Sequence, residues 1–313
     1  MRTSSPRCDR CGRKARYIQR YSGNSYCGRC FTENLVRRVR REIRRGHLLR
    51  SGKRVVFAVS GGKDSIACLD IVHPIAAERR KEMSVVCIDE GVGDYRARGI
   101  EIAREAARSR GLEFHLFSFK EEIGEGIDSI LNLAGTKEVS CTYCGVLRRW
   151  LLNRVAGELG ADVMVTGHTL DDEAQSALLN LIRGDPARIA RSGPEYVVSD
   201  PRFVPRVKPL RRIPCRETLL YDLFRGLDFH IEKCPYAKYD MRNEIRRFLN
   251  GLEEGRPTSK SSLLSSMDRI SLRLNRTYGD VELKACSICG QPTGGEMCKA
   301  CRLLKSVDLL RDA

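Results

Sequence analysis

The sequence predicts an α/β fold in which a parallel sheet carries helices on both faces, with a small cysteine-rich module near each end of the chain. Three observations predict it. The apolar, β-branched run at 54–59 is typical of a buried parallel strand, and a glycine-rich turn and an apolar helical pattern follow it. Strand and helix patterns then alternate up to residue 182. Two Cys-x-x-Cys pairs lie near each terminus.

The central elements follow in chain order. Strands are expected at Val55–Val59, Ser84–Ile88, Glu113–Phe119 and Asp162–Thr166. Helices are expected at Ser65–Ala77, Tyr95–Ser109, Cys144–Leu159 and Asp171–Ile182. After a stretch that contains Gly and Pro, at 184–209, further helices are expected near 214–224, Asp240–Leu252 and Leu263–Leu274.

These patterns divide the chain into five segments. Residues 1–32 form an N-terminal four-cysteine module, and residues 33–50 form a basic linker helix. Residues 51–210 form the central α/β domain, and residues 211–280 form a helical segment. Residues 281–313 form a C-terminal four-cysteine module. At 313 residues, the chain is long enough for one large domain or two, with small additions.

The turn after the first central strand reads Ser60-Gly61-Gly62-Lys63-Asp64-Ser65. Glycines let backbone N–H groups approach a phosphate, and the dipole of the following helix favours negative charge. A Walker A loop would need four residues between Gly and Gly-Lys-Ser/Thr, so this is a different loop. It resembles the PP-loop of the ATP pyrophosphatases, which split ATP between the α- and β-phosphates. The alternative is a glycine turn that binds no ligand.

A second loop, Thr166–Glu173, should lie beside the first, because open α/β sheets bind ligands at the carboxyl ends of their strands. Asp171 or Asp172 could cap the helix that follows, while the other serves Mg²⁺ or the reacting base. Six further residues either contact the nucleotide or have a structural role. They are Ala58, Lys63, Asp64, Asp89, Gly167 and His168. Lys63 can neutralise phosphate charge, and Asp64 can aid magnesium or orient the loop.

The chain carries 56 Lys and Arg against 40 Asp and Glu, a net charge of +16. Such an excess favours a polyanionic partner. It is concentrated at Arg37–Arg45, where Leu35, Val36, Val39 and Ile43 form a thin apolar stripe. This helix is either a phosphate-contacting arm or a solvated helix. A membrane surface is not favoured, because no long apolar segment accompanies the charge.

The sequence shows no signal peptide, so a cytoplasmic location is expected, where 14 cysteines do not form a disulfide framework. Two cysteine tetrads have the spacing of structural zinc sites. They are Cys8, Cys11, Cys27 and Cys30, and Cys286, Cys289, Cys298 and Cys301. The alternative for each pair is a redox motif, which needs no second pair. Modules this small lack the core to fold without metal.

Three more cysteines, Cys141, Cys144 and Cys234, remain after the tetrads. Three thiolates can hold a [4Fe–4S] cluster and leave one iron open. The alternative is a catalytic pair, in which one cysteine carries persulfide sulfur and another resolves a disulfide. Cys215 competes with Cys234 as the third member, and Cys234 is favoured for its loop context. Cys68 and Cys87 fit buried packing positions.

Taken together, these residues resemble the TtcA/TtuA family of tRNA thiolation enzymes, in particular its 2-thiouridine synthetase branch. The resemblance rests on four stretches and both tetrads: Ser60–Ser65, Cys141–Arg149, Thr166–Gln175 and Glu232–Tyr236. It thus covers nearly the whole chain. It implies the fold of the PP-loop ATP pyrophosphatases, which is adenine nucleotide alpha hydrolase-like, with zinc-ribbon-like modules at both ends.

The resemblance also implies a reaction and its residues. ATP with Mg²⁺ adenylates O2 of a uridine, and sulfur then replaces that oxygen to give 2-thiouridine. By position, Ser60, Gly61, Gly62, Asp64 and Ser65 would bind phosphates, Cys141, Cys144 and Cys234 would hold the cluster, and Asp171 would be the catalytic or metal-linked acid. The implied partners are tRNA, a thiocarboxylated ubiquitin-like sulfur carrier or free sulfide, and a second copy of the chain. The wobble position 34 is favoured over position 54.

Two other functions remain open on sequence grounds. Another PP-loop ligase, such as a lysidine or GMP synthetase, would need no cysteine triad. A non-catalytic zinc-ribbon protein would bind RNA without consuming ATP.

Overall fold

In the computed structural model, residues 6–49, 53–135, 140–193, 200–239, 241–278 and 283–310 are described. The N-terminal module consists of two short antiparallel strands, β1 (Tyr17–Ile18) and β2 (Ser25–Tyr26), and the start of helix α1 (Gly28–Arg45). Cys27 caps α1 by accepting a hydrogen bond from the backbone N–H of Cys30. The boundary expected at residue 32 therefore falls inside a helix that belongs to both segments.

Helix α1 packs against the central domain along its apolar stripe. Leu35, Val39 and Ile43 are fully buried there, because apolar residues at this spacing share one face of a helix. Arg40 pairs with Glu78, and Arg38 pairs with the buried Glu217. Ion pairs therefore anchor the basic helix to the central and helical segments, and only part of its surface is exposed to solvent.

The predicted parallel sheet is confirmed. Its strands are β3 (Arg54–Ala58), β4 (Glu82–Asp89), β5 (Glu113–Ser118), β6 (Val163–Thr166) and β7 (Arg206–Val207). Within the described residues they are ordered β5-β4-β3-β6-β7, and each neighbouring pair is parallel. The order reverses direction beside β3, the point at which open α/β sheets bind ligands.

Helices cover both faces of this sheet. They are α2 (Lys63–Ala77), α3 (Tyr95–Arg108), α4 (Phe119–Ile123), α5 (Ile127–Leu133), α6 (Ser140–Glu158), α7 (Leu170–Ile182) and α8 (Pro186–Ala190). One buried cluster joins α1, α2 and α3 to one face through Val55 and Phe57. A second cluster joins α5 and α6 to the other face through Val56 and Val86.

The helical segment follows the sheet. It contains α9 (Cys215–Arg225), a 3₁₀ turn (Pro235–Tyr239), α10 (Arg242–Gly255) and α11 (Ser259–Tyr278). Helix α9 packs on α1 and α2, whereas α10 and α11 pack on α7. Asp240, the expected start of the second helix here, and the boundaries at 50/51 and 280/281 lie outside the described residues.

The C-terminal module contains β8 (Lys284–Ala285), β9 (Pro292–Thr293) and α12 (Lys299–Lys305). It docks on α6, where Asn153 donates to Gln291 over 2.7 Å and the hydroxyls of Tyr143 and Ser306 lie 3.1 Å apart. Cys68 and Cys87 are buried in the core, as expected for packing residues. Across the described part of the chain, no helix combines the length and the apolar character needed to span a membrane.

Candidate functional site

The loop Ser60–Ser65 joins the end of β3 to the start of α2. Gly61 has φ +80°, and a Cβ there would lie 1.9 Å from the carbonyl oxygen of Gly99, so only glycine fits. The Ser65 hydroxyl donates to the Gly62 carbonyl over 2.8 Å and closes the loop. The N–H groups of Ser65 and Ile66 donate to the same carbonyl over 3.0 and 3.1 Å and order the first turn of α2, and a helix N-terminus of this kind favours an anion.

A buried arginine holds the loop from the opposite side. Arg96 pairs with the buried Glu90 at 2.7 Å and donates to the Ser60 carbonyl over 3.1 Å. The second loop approaches closely as well, because a Cβ on Gly167 would lie 2.7 Å from the Asp64 carbonyl oxygen. The two strand-end loops are therefore packed together with no room for larger residues.

These loops form the wall of a cleft of about 300 Å³. Seven of the residues singled out in the sequence line it: Ala58, Ser60, Asp64, Ser65, Gly167, His168 and Asp172. Gly61, Gly62 and Lys63 complete the loop beneath these residues. Asp89 instead accepts a hydrogen bond from the N–H of Gly91 over 2.9 Å, and it does not belong to the lining.

Lys63 and Asp64 are paired within the loop at 2.6 Å. The Thr218 hydroxyl of α9 donates to the other oxygen of Asp64 over 2.5 Å. Burial raises the pKa of Asp64, and Lys63 opposes that shift. The lysine is thus placed to exchange its carboxylate partner for a phosphate, which would free Asp64 for a cation.

The two adjacent acids, Asp171 and Asp172, have different surroundings. Asp172 lines the cleft, and as the third residue of α7 it accepts hydrogen bonds from the N–H and hydroxyl of Thr169, the N-cap residue, both at 2.8 Å. Asp171 points away from the cleft: it is buried, pairs with Lys260 at 2.5 Å and accepts from the N–H of Cys215. Asp172 rather than Asp171 therefore lines the cleft, because successive residues of a helix face directions about 100° apart.

His168 lies in the cleft wall with its Nδ1 atom 2.9 Å from the Thr166 hydroxyl. Loss of solvation, with a smaller contribution from Lys208, lowers the pKa of His168 to about 4. The imidazole is therefore neutral at physiological pH and can bind by hydrogen bonding rather than by charge.

The cleft also contains arginines to which the sequence reasoning gave no role. Arg148, Arg149 and Arg206 line it, and Arg148 pairs with Glu90 at 3.2 Å. The available signal was spacing, because Arg148 lies four residues after Cys144 and so on the same face of α6. Helix α6 therefore carries both the Cys144 thiol and an arginine that lines this cleft, which is called the nucleotide cleft below.

Cys141 and Cys144 lie in the first turns of α6, and Cys234 lies in the loop before the 3₁₀ turn that packs on α6. Burial raises the pKa of Cys144 to about 11, and both Cys234 and Cys141 contribute to the shift. Cys141 and Cys234 therefore lie near enough to Cys144 to act on its charge. Cys215 lies elsewhere, with its thiol beside Asp171 and Lys63.

The sulfur atoms of the two terminal cysteine tetrads lie close together. In each, the four sulfur atoms lie within 4.8 Å of one another, with Cys11–Cys27 and Cys289–Cys298 separations of 3.6 and 3.7 Å. A regular tetrahedron with Zn–S bonds of about 2.3 Å has edges of about 3.8 Å, so both tetrads fit one zinc ion. Among the described residues, no other group brings three such donor atoms within 4.8 Å. Cys141, Cys144 and Cys234 are thus spaced more widely than one ion requires.

Comparison with known proteins adds to this geometry. A family model described as a PP-loop domain matches residues 32–252. The chain is 35% identical to a Haloferax volcanii protein named tRNA 2-thiolation protein NcsA, over 96% of this chain and 99% of that protein. It is 36% identical to a Thermus thermophilus protein named tRNA-5-methyluridine(54) 2-sulfurtransferase, over 96% and 91%.

One solved structure is also similar over almost its whole length. It is described as the U34-tRNA thiolase NcsA from Methanococcus maripaludis with its [4Fe-4S] cluster. It superposes with a TM-score of 0.79 at 31% identity and covers 96% of this chain and 95% of that one. Sequence and fold therefore agree on the same group of relatives.

Proposed function

The chain belongs to the PP-loop family of tRNA 2-thiolation proteins, and on that premise we propose that it is an ATP-dependent tRNA 2-thiouridine synthetase. The observation that carries this proposal is the position of Arg148. It lines the nucleotide cleft and lies one helical turn after Cys144 on α6, and Cys141 and Cys234 lie near enough to Cys144 to act on its charge. This position supports a reaction space shared by the phosphate-binding loop and the three cysteines.

In the proposed first step, O2 of a uridine attacks the α-phosphorus of ATP and pyrophosphate leaves. The N–H groups of Ser60–Ser65 bind the phosphates, and Lys63 moves from Asp64 to a phosphate oxygen. Asp64 and Asp172 are the carboxylates proposed for Mg²⁺ in the cleft, because Glu90, the third carboxylate of the lining, is paired with Arg96 and Arg148. Asp171 lies outside the cleft lining, where it pairs with Lys260.

In the second step, hydrosulfide attacks C2, the C2–O2 bond breaks, and AMP leaves with the former uridine oxygen. The sulfur gives up its proton, and N3 regains the proton that it lost on adenylation. Adenylation is needed because a carbonyl oxygen is otherwise a poor leaving group. Arg148 and Arg149 line the cleft where negative charge develops on the departing phosphate, and such fixed charges stabilise it.

Cys141, Cys144 and Cys234 would hold a [4Fe–4S] cluster, since three thiolates can ligate such a cluster and the similar solved structure is described with one. Bound there, the cluster would supply a site for sulfide without net redox change. The two tetrads would hold structural zinc.

Further proposals come from the family resemblance alone. They are a thiocarboxylated ubiquitin-like protein, or free sulfide, as sulfur donor, a homodimeric assembly, and action in the cytoplasm. We also propose position 34 of tRNA as the target. The solved relative is named for U34, whereas the Thermus relative is named for position 54.

The experiment that tests the function is anaerobic incubation of the iron-loaded protein with ATP, Mg²⁺, sulfide and unmodified tRNA. Nucleoside mass spectrometry on mapped fragments should find 2-thiouridine at position 34, with pyrophosphate formed in step. Pyrophosphate without a thiolated nucleoside would point to another PP-loop ligase. RNA binding without pyrophosphate would point to a non-catalytic zinc-ribbon protein.

A further inference from the structure

A line of positive charge leads from the mouth of the nucleotide cleft to the C-terminal module. Arg149 and Arg206 begin it, and the Arg206 guanidinium donates to the Arg149 carbonyl over 2.6 Å. Lys299, in the first turn of α12, lies within electrostatic range of Arg149 and of three other arginines. We call this set the cationic track, and it consists of Arg149, Arg183, Arg188, Arg206, Lys299 and Arg302.

The track draws its residues from separate elements that are packed together. Helix α12 docks on α6, which carries Arg149, and α8 docks on α7, which ends just before Arg183. The Asn153–Gln291 hydrogen bond fixes the C-terminal module in this position. The like charges therefore cannot relieve their repulsion through independent movement of the module.

Few acids compensate these charges. In the described ranges, Arg188 pairs with Asp185 at 3.2 Å, whereas no carboxylate lies within 4.0 Å of the charged groups of Arg149, Arg183, Lys299 or Arg302. Partial burial, with the charges of neighbouring arginines, lowers the pKa of Arg149 to about 10. Crowded cations that have few counter-charges among the described residues favour the binding of an anion.

ATP cannot be that anion for the whole track. Only Arg149 and Arg206 belong to the cleft lining, and the other four residues lie outside it. An RNA that places one nucleotide in the cleft, however, must bring its flanking phosphates past the mouth. Arginine binds phosphate oxygens well, because its guanidinium presents parallel N–H donors.

We propose that the cationic track binds the RNA backbone beside the target nucleotide, so that the C-terminal cysteine module forms part of the RNA-binding surface. This proposal rests on the proposed function, since that function places a nucleotide in the cleft. Phosphate contacts of this kind position the substrate without reading its sequence.

The test uses the full-length, metal-loaded protein with the double charge reversal Arg183→Glu/Lys299→Glu. The affinity for tRNA is measured by fluorescence anisotropy over a range of salt concentrations, and the affinity for ATP is measured without RNA. The Kd for tRNA should rise at least about tenfold, and the magnitude of the salt slope should fall by roughly 1.5–2 for two lost phosphate contacts. The Kd for ATP should not change.

A matched control has the same change of charge on the opposite edge of the sheet. Arg80, just after α2, and Arg108, at the end of α3, lie where strands β4 and β5 begin. Arg80→Glu/Arg108→Glu should leave the salt slope within error of the unmodified protein. An equal loss in this control would show a general charge effect and overturn the proposal.

Further outcomes of the same experiment also test the proposal. Unchanged tRNA affinity and slope in a folded, zinc-replete Arg183→Glu/Lys299→Glu protein would overturn the track. If that variant loses zinc, Arg183→Glu/Arg188→Glu gives the same comparison without a change in the cysteine module. The variant could instead keep its tRNA affinity and lose thiolation only in assays where a carrier protein supplies the sulfur. The track would then bind an acidic protein, and the proposal would be overturned. If the unmodified protein does not thiolate tRNA, the proposed function is refuted. The comparison of tRNA affinities between the variants would still test the cationic track.

Discussion

Thr218 of α9 donates a hydrogen bond to Asp64 of the phosphate loop over 2.5 Å. The preceding residue, Glu217, is fully buried and accepts from Tyr21 and Gln19 of the N-terminal module, both at 2.8 Å. Two successive residues of one helix therefore contact the phosphate loop and the N-terminal module. Helix α9 is the physical link between them.

The first prediction concerns this link. Glu217→Gln replaces the buried partner of Arg38 and leaves its guanidinium without a counter-charge. The free energy of unfolding should fall by about 2–4 kcal/mol, because half of a buried ion pair remains. Hydrogen exchange in β1 and β2 should accelerate. Denaturant unfolding and exchange mass spectrometry measure both.

Glu33→Gln is the control for that change. Glu33 pairs with Arg10 and Arg29 on an exposed surface, and such pairs contribute about 0–1 kcal/mol. If the two variants lose equal stability, α9 is not the anchor of the N-terminal module.

The second prediction separates the adjacent acids of α7. Asp172→Asn should reduce the rate of pyrophosphate release by about a hundredfold or more, because it removes a carboxylate from the cleft while the asparagine oxygen can still accept from the N–H of Thr169. Asp171→Asn should mainly reduce stability, because it breaks the buried pair with Lys260. Steady-state kinetics and thermal unfolding measure the two effects, and the reverse pattern would restore Asp171 as the catalytic acid.

The third prediction concerns the basic helix. Arg37, Arg41 and Arg44 border a hollow of about 510 Å³ beside Tyr21 and Tyr26, a combination suited to RNA. Arg41→Glu/Arg44→Glu should weaken tRNA binding and lower its salt dependence. Arg40→Glu is the control, since Arg40 faces α2 and pairs with Glu78. Equal losses in all variants would argue against a specific RNA-binding face.

The fourth prediction separates activation from sulfur transfer. Cys234→Ser should abolish 2-thiouridine formation and lower the iron content, while tRNA-dependent pyrophosphate release continues. Cys215→Ser should retain both products, because its thiol lies apart from Cys144. Iron and acid-labile sulfide are assayed after anaerobic purification. Near-zero iron in active protein would exclude the cluster and favour a persulfide.

The sequence anticipated the sheet because its strands and loops have strong local signals. The run at 54–59 with the glycines after it predicts β3, the phosphate loop and α2, and these elements appear where expected. Strand β7 was missed, since two residues in a stretch that contains Pro carry no measurable periodicity. Helix α6 begins at Ser140 rather than Cys144.

The site was less predictable from sequence than the fold. Which of Asp171 and Asp172 faces the cleft depends on how α7 is rotated, and the partners Lys260 and Cys215 come from distant elements. The closeness of Lys299 to Arg149 likewise depends on the docking of α12 on α6. Tertiary contacts of this kind leave no local pattern in a single sequence.

The central claim is that the uridine oxygen O2 is adenylated and then replaced by sulfur. It is tested by a single turnover on tRNA labelled with ¹⁸O at O2 of the target uridine, with mass analysis of the AMP formed. The proposed chemistry predicts one ¹⁸O atom in the phosphate of AMP for each 2-thiouridine made. Unlabelled AMP, with ¹⁸O retained in the nucleoside or released to water, would contradict it.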